Sequence, residues 1–285
     1  MYNLRFDSNI TGKTLEMTLE NNIVIGHVEG ATGGTVSLGL AQGYQQIGQT
    51  VISTAVSGMS LTITGFIFDG DTKIKRTLLQ IFAPFTTGRL WWNNEYFCDV
   101  VVQSYPTISQ ERHSRFSFRL YSETPYWSYK NLVSTINGIT QPEFQFPVNY
   151  STPHRFGTRD LSRDYSILNN GDVESPFDIQ ISGTEDVVNP KVLNLTTGES
   201  LLFNGTVAVG ETLRLYQKSG KLRVVLTHTD GTETNEFAML DDLSSFFTLE
   251  AGTNLLQSRA DSGGNNMITA ISFYPLYAGV LANGV

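Results

Sequence analysis

The sequence has little cysteine, little charge and no long apolar run. Its single cysteine, Cys98, excludes an internal disulfide framework and a zinc site built from several cysteines, and it fits a reducing compartment. Charged residues make up only 16% of the 285 residues, whereas 40% are hydrophobic, so we expect a folded chain and not a disordered one. This length allows two medium domains or one large β domain.

Basic residues are scarce as well, because 19 Lys and Arg stand against 27 Asp and Glu, which gives a net charge of -8. A protein that grips a phosphate backbone normally carries a basic excess, so we expect no specific binding of nucleic acid. The residues before Leu168 hold 13 basic and 13 acidic side chains, whereas those from Leu168 onward hold 6 and 14, or 6 minus 14 = -8. This asymmetry indicates two modules with different surroundings.

Targeting signals are also missing from the expected places. The first residues lack the apolar segment of a secretory signal. The most apolar stretch, near the C-terminus, is shorter than the ~18 residues of a membrane span and contains Pro275. We therefore expect synthesis in a cytoplasm and no membrane insertion.

Alternation of apolar and polar residues dominates the chain and predicts a mainly β, antiparallel fold. The clearest segments place these residues on a common buried face: Tyr96, Cys98, Val100 and Val102 in one strand, and Phe116, Phe118 and Leu120 in another. Cys98 is therefore predicted to be a small core residue.

Two segments show helical spacing. One begins at Asp71 or Thr72, which are suitable N-cap residues, and must stop at Pro84. A second short helix is predicted for residues 240–247.

The segment Ala31–Gly58 contains no charged residue and is rich in Gly, Gln, Ser and Thr. It is either a mobile loop or an extended hairpin that orders against another subunit, and its β-branched residues favour the hairpin. Periodicity then fades from Ser128 to Asn169, where prolines appear. We therefore predict domains at 1–130 and 168–285, with a connector or arm at 131–167.

Three short motifs resemble catalytic or binding sites, but each lacks a requirement. Asp7–Thr14 approaches a phosphate-binding loop but has Asp in place of the first Gly, so it is predicted to be a turn between strands. Asp261–Gly264 resembles a protease nucleophile segment without a histidine in the matching setting. Asp69–Asp71 begins like a calcium loop and lacks its later ligands. We expect no enzyme activity, no catalytic residue, no cofactor and no metal.

Two adjacent tryptophans, Trp91 and Trp92, follow Arg89. If the segment is a strand, one indole enters the core and the other points outward. We assign Trp92 and Arg89 to a subunit interface in preference to a sugar-stacking site, since Arg and Trp are enriched at interfaces.

The first half resembles the N-terminal domain of siphophage distal tail proteins, in which a helix with basic residues is followed by an ordered series of strands and turns. The matching residues are Lys73–Phe82, Gly88–Trp91, Phe97–Val102, Tyr105-Pro106, Phe116–Leu120 and Pro125–Trp127.

The second half resembles the galectin-like C-terminal domain of the same family. The matching residues are Asn170-Gly171-Asp172, Pro176, Asn189-Pro190, Thr197-Gly198, Gly210–Leu213, Leu240, Phe246-Phe247, Leu249, Ala251-Gly252 and Tyr277–Val280. The resemblance implies a ring-forming β-sandwich with one helix, followed by a galectin-like antiparallel β-sandwich.

What the resemblance implies about function is a structural role in the virion tail tip. The family forms a homohexameric ring that joins the tail tube protein to a tail-associated hub protein and to receptor-binding proteins, and DNA can pass through the ring. We predict these subunit-interface residues: Val36, Leu38, Leu40, Ile47, Val51, Arg89 and Trp92. The alternatives are a carbohydrate-binding module that contacts the host surface and, behind it, a hydrolase.

Overall fold

The computed structural model describes residues 3–68, 71–138, 140–142, 157–159, 164–218 and 220–280. The chain divides into two compact units, of which the first comprises Met1–Lys130 with Leu276–Val285 and the second Asn131–Pro275. Residues 143–156 and 160–163 of the predicted connector lie outside the described residues. The division into domains at 1–130 and 168–285 with an arm between them stays a prediction.

Strands make up most of the described structure, as predicted. Those of the first unit are β1 (Leu4–Ser8), β2 (Thr14–Met17), β3 (Ile23–Glu29), β4 (Val36–Ala41), β5 (Thr50–Val56), β6 (Met59–Ile67), β7 (Thr87–Trp92), β8 (Tyr96–Val102), β9 (Thr107–Ile108), β10 (Ser114–Ser122), β11 (Trp127–Tyr129) and, near the end of the chain, β26 (Leu276–Tyr277). Those of the second unit are β12 (Val133–Asn137), β13 (Thr140–Pro142), β14 (Gly157–Arg159), β15 (Asp164–Asn169), β16 (Phe177–Gly183), β17 (Val187–Val188), β18 (Lys191–Asn194), β19 (Ser200–Leu202), β20 (Thr206–Val207), β21 (Thr212–Lys218), β22 (Lys221–Thr227), β23 (Glu233–Asn235), β24 (Gly252–Arg259) and β25 (Met267–Phe273).

The main sheet of the first unit has the strand order β2-β1-β7-β8-β10-β6-β3. Its core side follows the predicted alternation, because every second residue of β6 and of β10 is buried. The predicted faces of β8 and β10 are confirmed, since the side chains assigned to them are at most 7% exposed. Cys98 is among them at 3% exposed, which confirms it as a core residue.

One α-helix, α1 (Thr72–Ile81), packs on this core as predicted. The side chain of Asp71 caps its first turn, because Oδ1 accepts hydrogen bonds from the backbone N–H groups of Lys73 at 2.7 Å and Ile74 at 3.4 Å. Leu78 and Ile81 are buried on the face that meets the sheet. In the part of the chain that the structure describes, no helix is long and apolar enough to cross a membrane.

The second unit is an antiparallel sandwich of two sheets. One has the order β12-β25-β16-β21-β22-β23 and the other the order β15-β24-β18-β19. Apolar residues from both sheets form one buried cluster, which includes Ile179, Val192, Leu213 and Leu256. The period-two pattern fixes this arrangement, because each strand contributes alternate residues to the space between the sheets.

The predicted helix at residues 240–247 is wrong. Leu240 forms a β-bridge with Phe203, and Ser245 donates its backbone N–H to the carbonyl of Ser200 at 2.8 Å. The Asp241 Oδ1 atom accepts from the backbone N–H of Leu243 at 2.8 Å. The backbone N–H and C=O groups of this segment are therefore satisfied by a neighbouring strand and by a local turn. In a helix they would have bonded to each other.

Replacement of Asp71 by Ala is expected to lower the free energy of unfolding of the first unit by about 1 kcal/mol, because two backbone N–H groups lose their acceptor. Urea denaturation followed by tryptophan fluorescence measures this, since Trp91, Trp92 and Trp127 all lie in that unit. Asp71→Asn keeps an acceptor oxygen and is the matched control. An equal loss in both variants would contradict the capping role.

Candidate subunit interface

The uncharged segment forms an exposed two-stranded hairpin, which confirms the predicted hairpin form. Strands β4 and β5 pair only with each other. Every residue from Leu40 to Ser57 is exposed. A two-stranded hairpin with solvent on both faces is at best marginally stable on its own, so this element is the candidate for a contact with another subunit.

The two faces of the hairpin differ. Residues directly opposite each other across a strand pair lie on the same face, and the register pairs Val36 with Val56 and Leu40 with Val51. Leu38 lies between these pairs on the same face. Alternation places Ser37, Gly39, Ala41, Ser53 and Ala55 on the opposite face. One face thus carries an apolar stripe. The other is built mainly from small residues, but the register shifts between Gly39 and Leu40, and the side chain of Ile52, which is 67% exposed, lies 3.6 Å from where a Cβ on Gly39 would be.

Five of the predicted interface residues lie on this hairpin, and all five are exposed. Val36, Leu38, Leu40 and Val51 are 61%, 53%, 48% and 51% exposed and share the apolar stripe. Ile47, near the tip between the strands, is fully exposed. The structure therefore brings four of the five together on one surface.

The base of the hairpin is attached to the core of the first unit. The fully buried Trp127 donates from Nε1 to the carbonyl oxygen of Ala31 at 3.0 Å. The same carbonyl accepts the backbone N–H of Val280 at 3.2 Å, and Thr35 and Ser57 bond to each other where the strands begin. The hairpin consequently leaves the core at a fixed point.

The other two predicted interface residues lie on opposite faces of β7. Trp92 is only 3% exposed and packs edge-on against Trp127, with ring centroids 5.8 Å apart. The assignment of Trp92 to an exposed interface is therefore corrected, because its ring is part of the core. Arg89 is partly exposed and makes two hydrogen bonds to Asp99, at 2.8 and 3.2 Å.

The outward tryptophan is Trp91, and it belongs to a network that the sequence analysis missed. Its Nε1 donates to Asp7 at 2.7 Å, and the guanidinium of Arg5 lies 4.6 Å from its ring centroid. Arg5 also bonds to Asp7, at 3.0 Å. Because Arg5 covers the ring, this indole is not an open platform for stacking a sugar. The pairing of β1 with β7, which aligns Asp7 with Arg89, creates the network.

The segment that approaches a phosphate-binding loop is a turn, as predicted. It joins β1 to the antiparallel strand β2. Asp7 accepts from the hydroxyl of Thr14 at 2.8 Å, so its carboxylate is used within the turn.

The segment resembling a protease nucleophile is a loop that crosses from β24 in one sheet of the sandwich to β25 in the other. Asp261 accepts from Lys191 Nζ at 2.6 Å and from Asn189 at 2.9 Å. The hydrogen bond from Lys191, followed by that from Asn189, lowers the pKa of Asp261 from its ordinary value. This carboxylate therefore joins two loops.

Glu211, His228 and Thr234 form a hydrogen-bonded series of a carboxylate, an imidazole and a hydroxyl, which the sequence pattern did not predict. The ring of His228 lies 2.7 Å from Glu211 Oε1 through Nδ1 and 3.0 Å from Thr234 Oγ1 through Nε2. Glu211 also accepts the backbone N–H of Ala208, and Thr234 lies on the fully exposed strand β23. The series ties together the ends of three strands at the surface.

Acidic and histidine side chains are otherwise dispersed. Among the residues that the structure describes, no three His, Cys, Asp or Glu side chains are grouped so that they could hold a metal ion. The surface that stands out for a function is accordingly the hairpin.

Residues 170–277 match the family described as siphovirus-type tail component, C-terminal domain. No curated protein sequence matches the chain. The solved structure of the Dit protein of phage SPP1, described as a paradigm of the hub adsorption apparatus in phages that infect Gram-positive bacteria, is similar with a TM-score of 0.68 and 11% identity. The similarity covers 97% of this chain and 99% of that chain. Structures of the phage P2 baseplate in its activated conformation, with Ca and with Sr, each give a TM-score of 0.49, 11% identity, and coverage of 95% and 98%.

The chain is therefore a mainly β protein of two units, each with its own core. Its fold is similar to that of a phage tail protein. More particularly, residues 170–277 match the C-terminal domain of siphovirus-type tail components, and the resemblance to siphophage distal tail proteins is confirmed.

The thiol of Cys98 is expected to be unreactive in the folded protein. Burial, with a smaller contribution from Asp99, raises the pKa of Cys98 well above its ordinary value of 9.0. The thiolate is the reactive form, and the folded chain holds little of it at pH 8. Reaction with a chromogenic disulfide reagent at pH 8 is expected to be much slower than in 6 M guanidinium chloride. Equal rates would show that Cys98 is accessible.

Proposed function

We propose that the chain is a structural subunit of the virion tail tip and forms a homohexameric ring through its β4–β5 hairpin. The ring joins the tail tube to the tail-tip hub and to receptor-binding proteins. The match of residues 170–277 to siphovirus-type tail components and the fold shared with the Dit protein of phage SPP1 support this role.

The exposed hairpin is the observation that carries the proposal. The monomer exposes an apolar stripe to water, and burial of this surface against another subunit would be favourable. The stripe consists of Val36, Leu38, Leu40, Val51 and Val56. The segment from Ala31 to Gly58 contains no charge, so its burial against a neighbour does not require the desolvation of an ion. Both properties are those of a permanent contact between subunits.

A closed ring of identical subunits places further demands on this contact. Ring contacts are heterologous, so each subunit presents two different surfaces that complement each other. The hairpin supplies one surface, and its attachment at Ala31 and Trp127 gives it the fixed direction that a repeating contact needs.

A carbohydrate-binding role has less support. Trp92 and Trp127 are buried, and Arg5 covers Trp91. The three tryptophans thus offer no open ring on which a sugar could stack, so no second function is proposed.

The purified protein is expected to have a mass of about 190 kDa, six times the 31.6 kDa of the chain. Native mass spectrometry measures it. Leu38→Asp places a charge in the apolar stripe and is expected to give monomers, because burial of an unpaired carboxylate opposes assembly. Ile10→Asp is the matched control, since Ile10 is 65% exposed in a turn away from the hairpin.

A wild-type protein that is monomeric at micromolar concentration would contradict the ring. Rings in the Leu38→Asp variant would show that the hairpin is not the contact. The circular dichroism spectrum of each variant verifies that it folds.

A further inference from the structure

Phe85 combines two unusual properties. Its aromatic side chain is 83% exposed, which is extreme for a large apolar residue in a folded unit. Its φ angle is +66°, in the left-handed region that Gly and Asn occupy readily and that a phenylalanine rarely adopts. The chain therefore holds an aromatic ring in water at a position where the backbone favours a smaller residue.

The strained conformation is fixed by the backbone on both sides. Thr86 donates its N–H to the carbonyl of Ala83 at 3.1 Å, which closes a turn with Pro84 and Phe85 at its centre. Pro followed by a residue with positive φ is the pattern of a type II turn, in which Gly or Asn is preferred at the second position. The N–H of Phe85 and the carbonyl of Thr86 bond to the backbone of Val102, each at 2.9 Å.

A side chain that extends from a fixed backbone and is mostly in solvent contributes little to the stability of its own unit. Strained residues of this kind concentrate at functional sites, and rigid aromatic side chains are frequent anchors of protein interfaces. A preorganised anchor loses little conformational entropy on binding. These properties indicate that the ring of Phe85 is buried by a partner.

The surroundings of Phe85 match the hairpin in chemistry. The segments 81–88 and 100–110, which meet at the bonds between Phe85 and Val102, contain no charged residue. Tyr105, in the second segment, is 61% exposed. Contact between these two segments and the uncharged Ala31–Gly58 segment buries no ion that belongs to them. The nearest charged residue along the sheet is Arg119, whose carbonyl accepts the backbone N–H of Gln103 at 3.0 Å.

We propose that Phe85 anchors the subunit surface that complements the hairpin in the hexamer. Its phenyl ring packs on the apolar stripe of the hairpin that a neighbouring copy of this chain supplies. This inference rests on the proposed ring, in which the hairpin of each subunit needs a different, complementary surface on the next. It names that surface as the turn that carries Phe85, which is bonded to the backbone of Val102.

Phe85→Asn tests the anchor by separating assembly from stability. Asn tolerates positive φ, so the isolated subunit is expected to gain about 2–4 °C in its midpoint of thermal unfolding. Removal of the phenyl ring is expected to weaken assembly at least tenfold, measured as the protein concentration at which the hexamers dissociate. Ile10→Asn is the matched control, which removes an exposed apolar side chain elsewhere and is expected to assemble normally.

Cross-linking between copies tests the identity of the partner surface. The double variant Phe85→Cys, Leu38→Cys is treated with a short bismaleimide at a protein concentration above that at which the hexamers of Phe85→Asn dissociate, since it also lacks the aromatic side chain. It is expected to give a ladder of covalent species up to the hexamer. A mixture of the two single variants is expected to stop at dimers, and each single variant alone is expected to give none. The native thiol of Cys98 is buried and contributes no background.

The outcomes separate the two proposals. Two results would overturn the role of Phe85 but not the proposed hexamer. One is hexamers that form without a cross-link between positions 85 and 38, and the other is hexamers that Phe85→Asn does not weaken. A wild-type protein that forms no ring overturns both. The unfolding midpoints are compared in the monomeric Leu38→Asp background, because assembly itself raises the midpoint of the wild type. A lower midpoint for Leu38→Asp, Phe85→Asn than for Leu38→Asp would show that Phe85 stabilises its own fold, which contradicts an anchor role.

Discussion

The hydrogen bond from Trp127 to Ala31 is the interaction on which the arrangement of the first unit's surface depends. A buried indole N–H needs an acceptor, and the Ala31 carbonyl satisfies it at the point where the chain leaves the core. The hairpin begins immediately afterwards, at a close approach where a Cβ on Gly34 would lie 2.0 Å from the carbonyl oxygen of Ser57. The position of the exposed hairpin is therefore set by the most deeply buried part of the unit.

Much of the fold could be predicted because local pattern and core agree. Alternation in β8 and β10 is strict enough to assign each buried face, and Asp71 and Pro84 delimit α1 without reference to its neighbours. For the uncharged segment, the β-branched residues favour a hairpin over a mobile loop for a similar reason, since they favour strands. In each of these cases the deciding information lies within about ten residues.

The errors arise where register or tertiary pairing decides. An Asn93-Asn94 turn of two residues would pair Trp92 with Glu95 and place the Trp92 ring outward. The actual connection includes Glu95, so Trp92 pairs with Tyr96 and turns inward. A shift of one residue reverses every face, and the sequence does not distinguish the two turn lengths. The segment 240–247 is similar, because the strand that satisfies its backbone lies some forty residues away.

The distribution of charge gains a physical meaning from the two proposed surfaces. The hairpin and the turn with Phe85 both lie in the half of the chain whose charges balance, and neither segment contains a charged residue, so contact between them buries no charge of their own. The excess of 14 acidic over 6 basic residues lies wholly from Leu168 onward. In the proposed ring, copies that carry this excess repel each other wherever their second units come within about a Debye length, ~8 Å at physiological salt. The burial of uncharged surface in the first unit would have to outweigh a repulsion that salt weakens, which would divide attraction and solubility between the two halves of the chain.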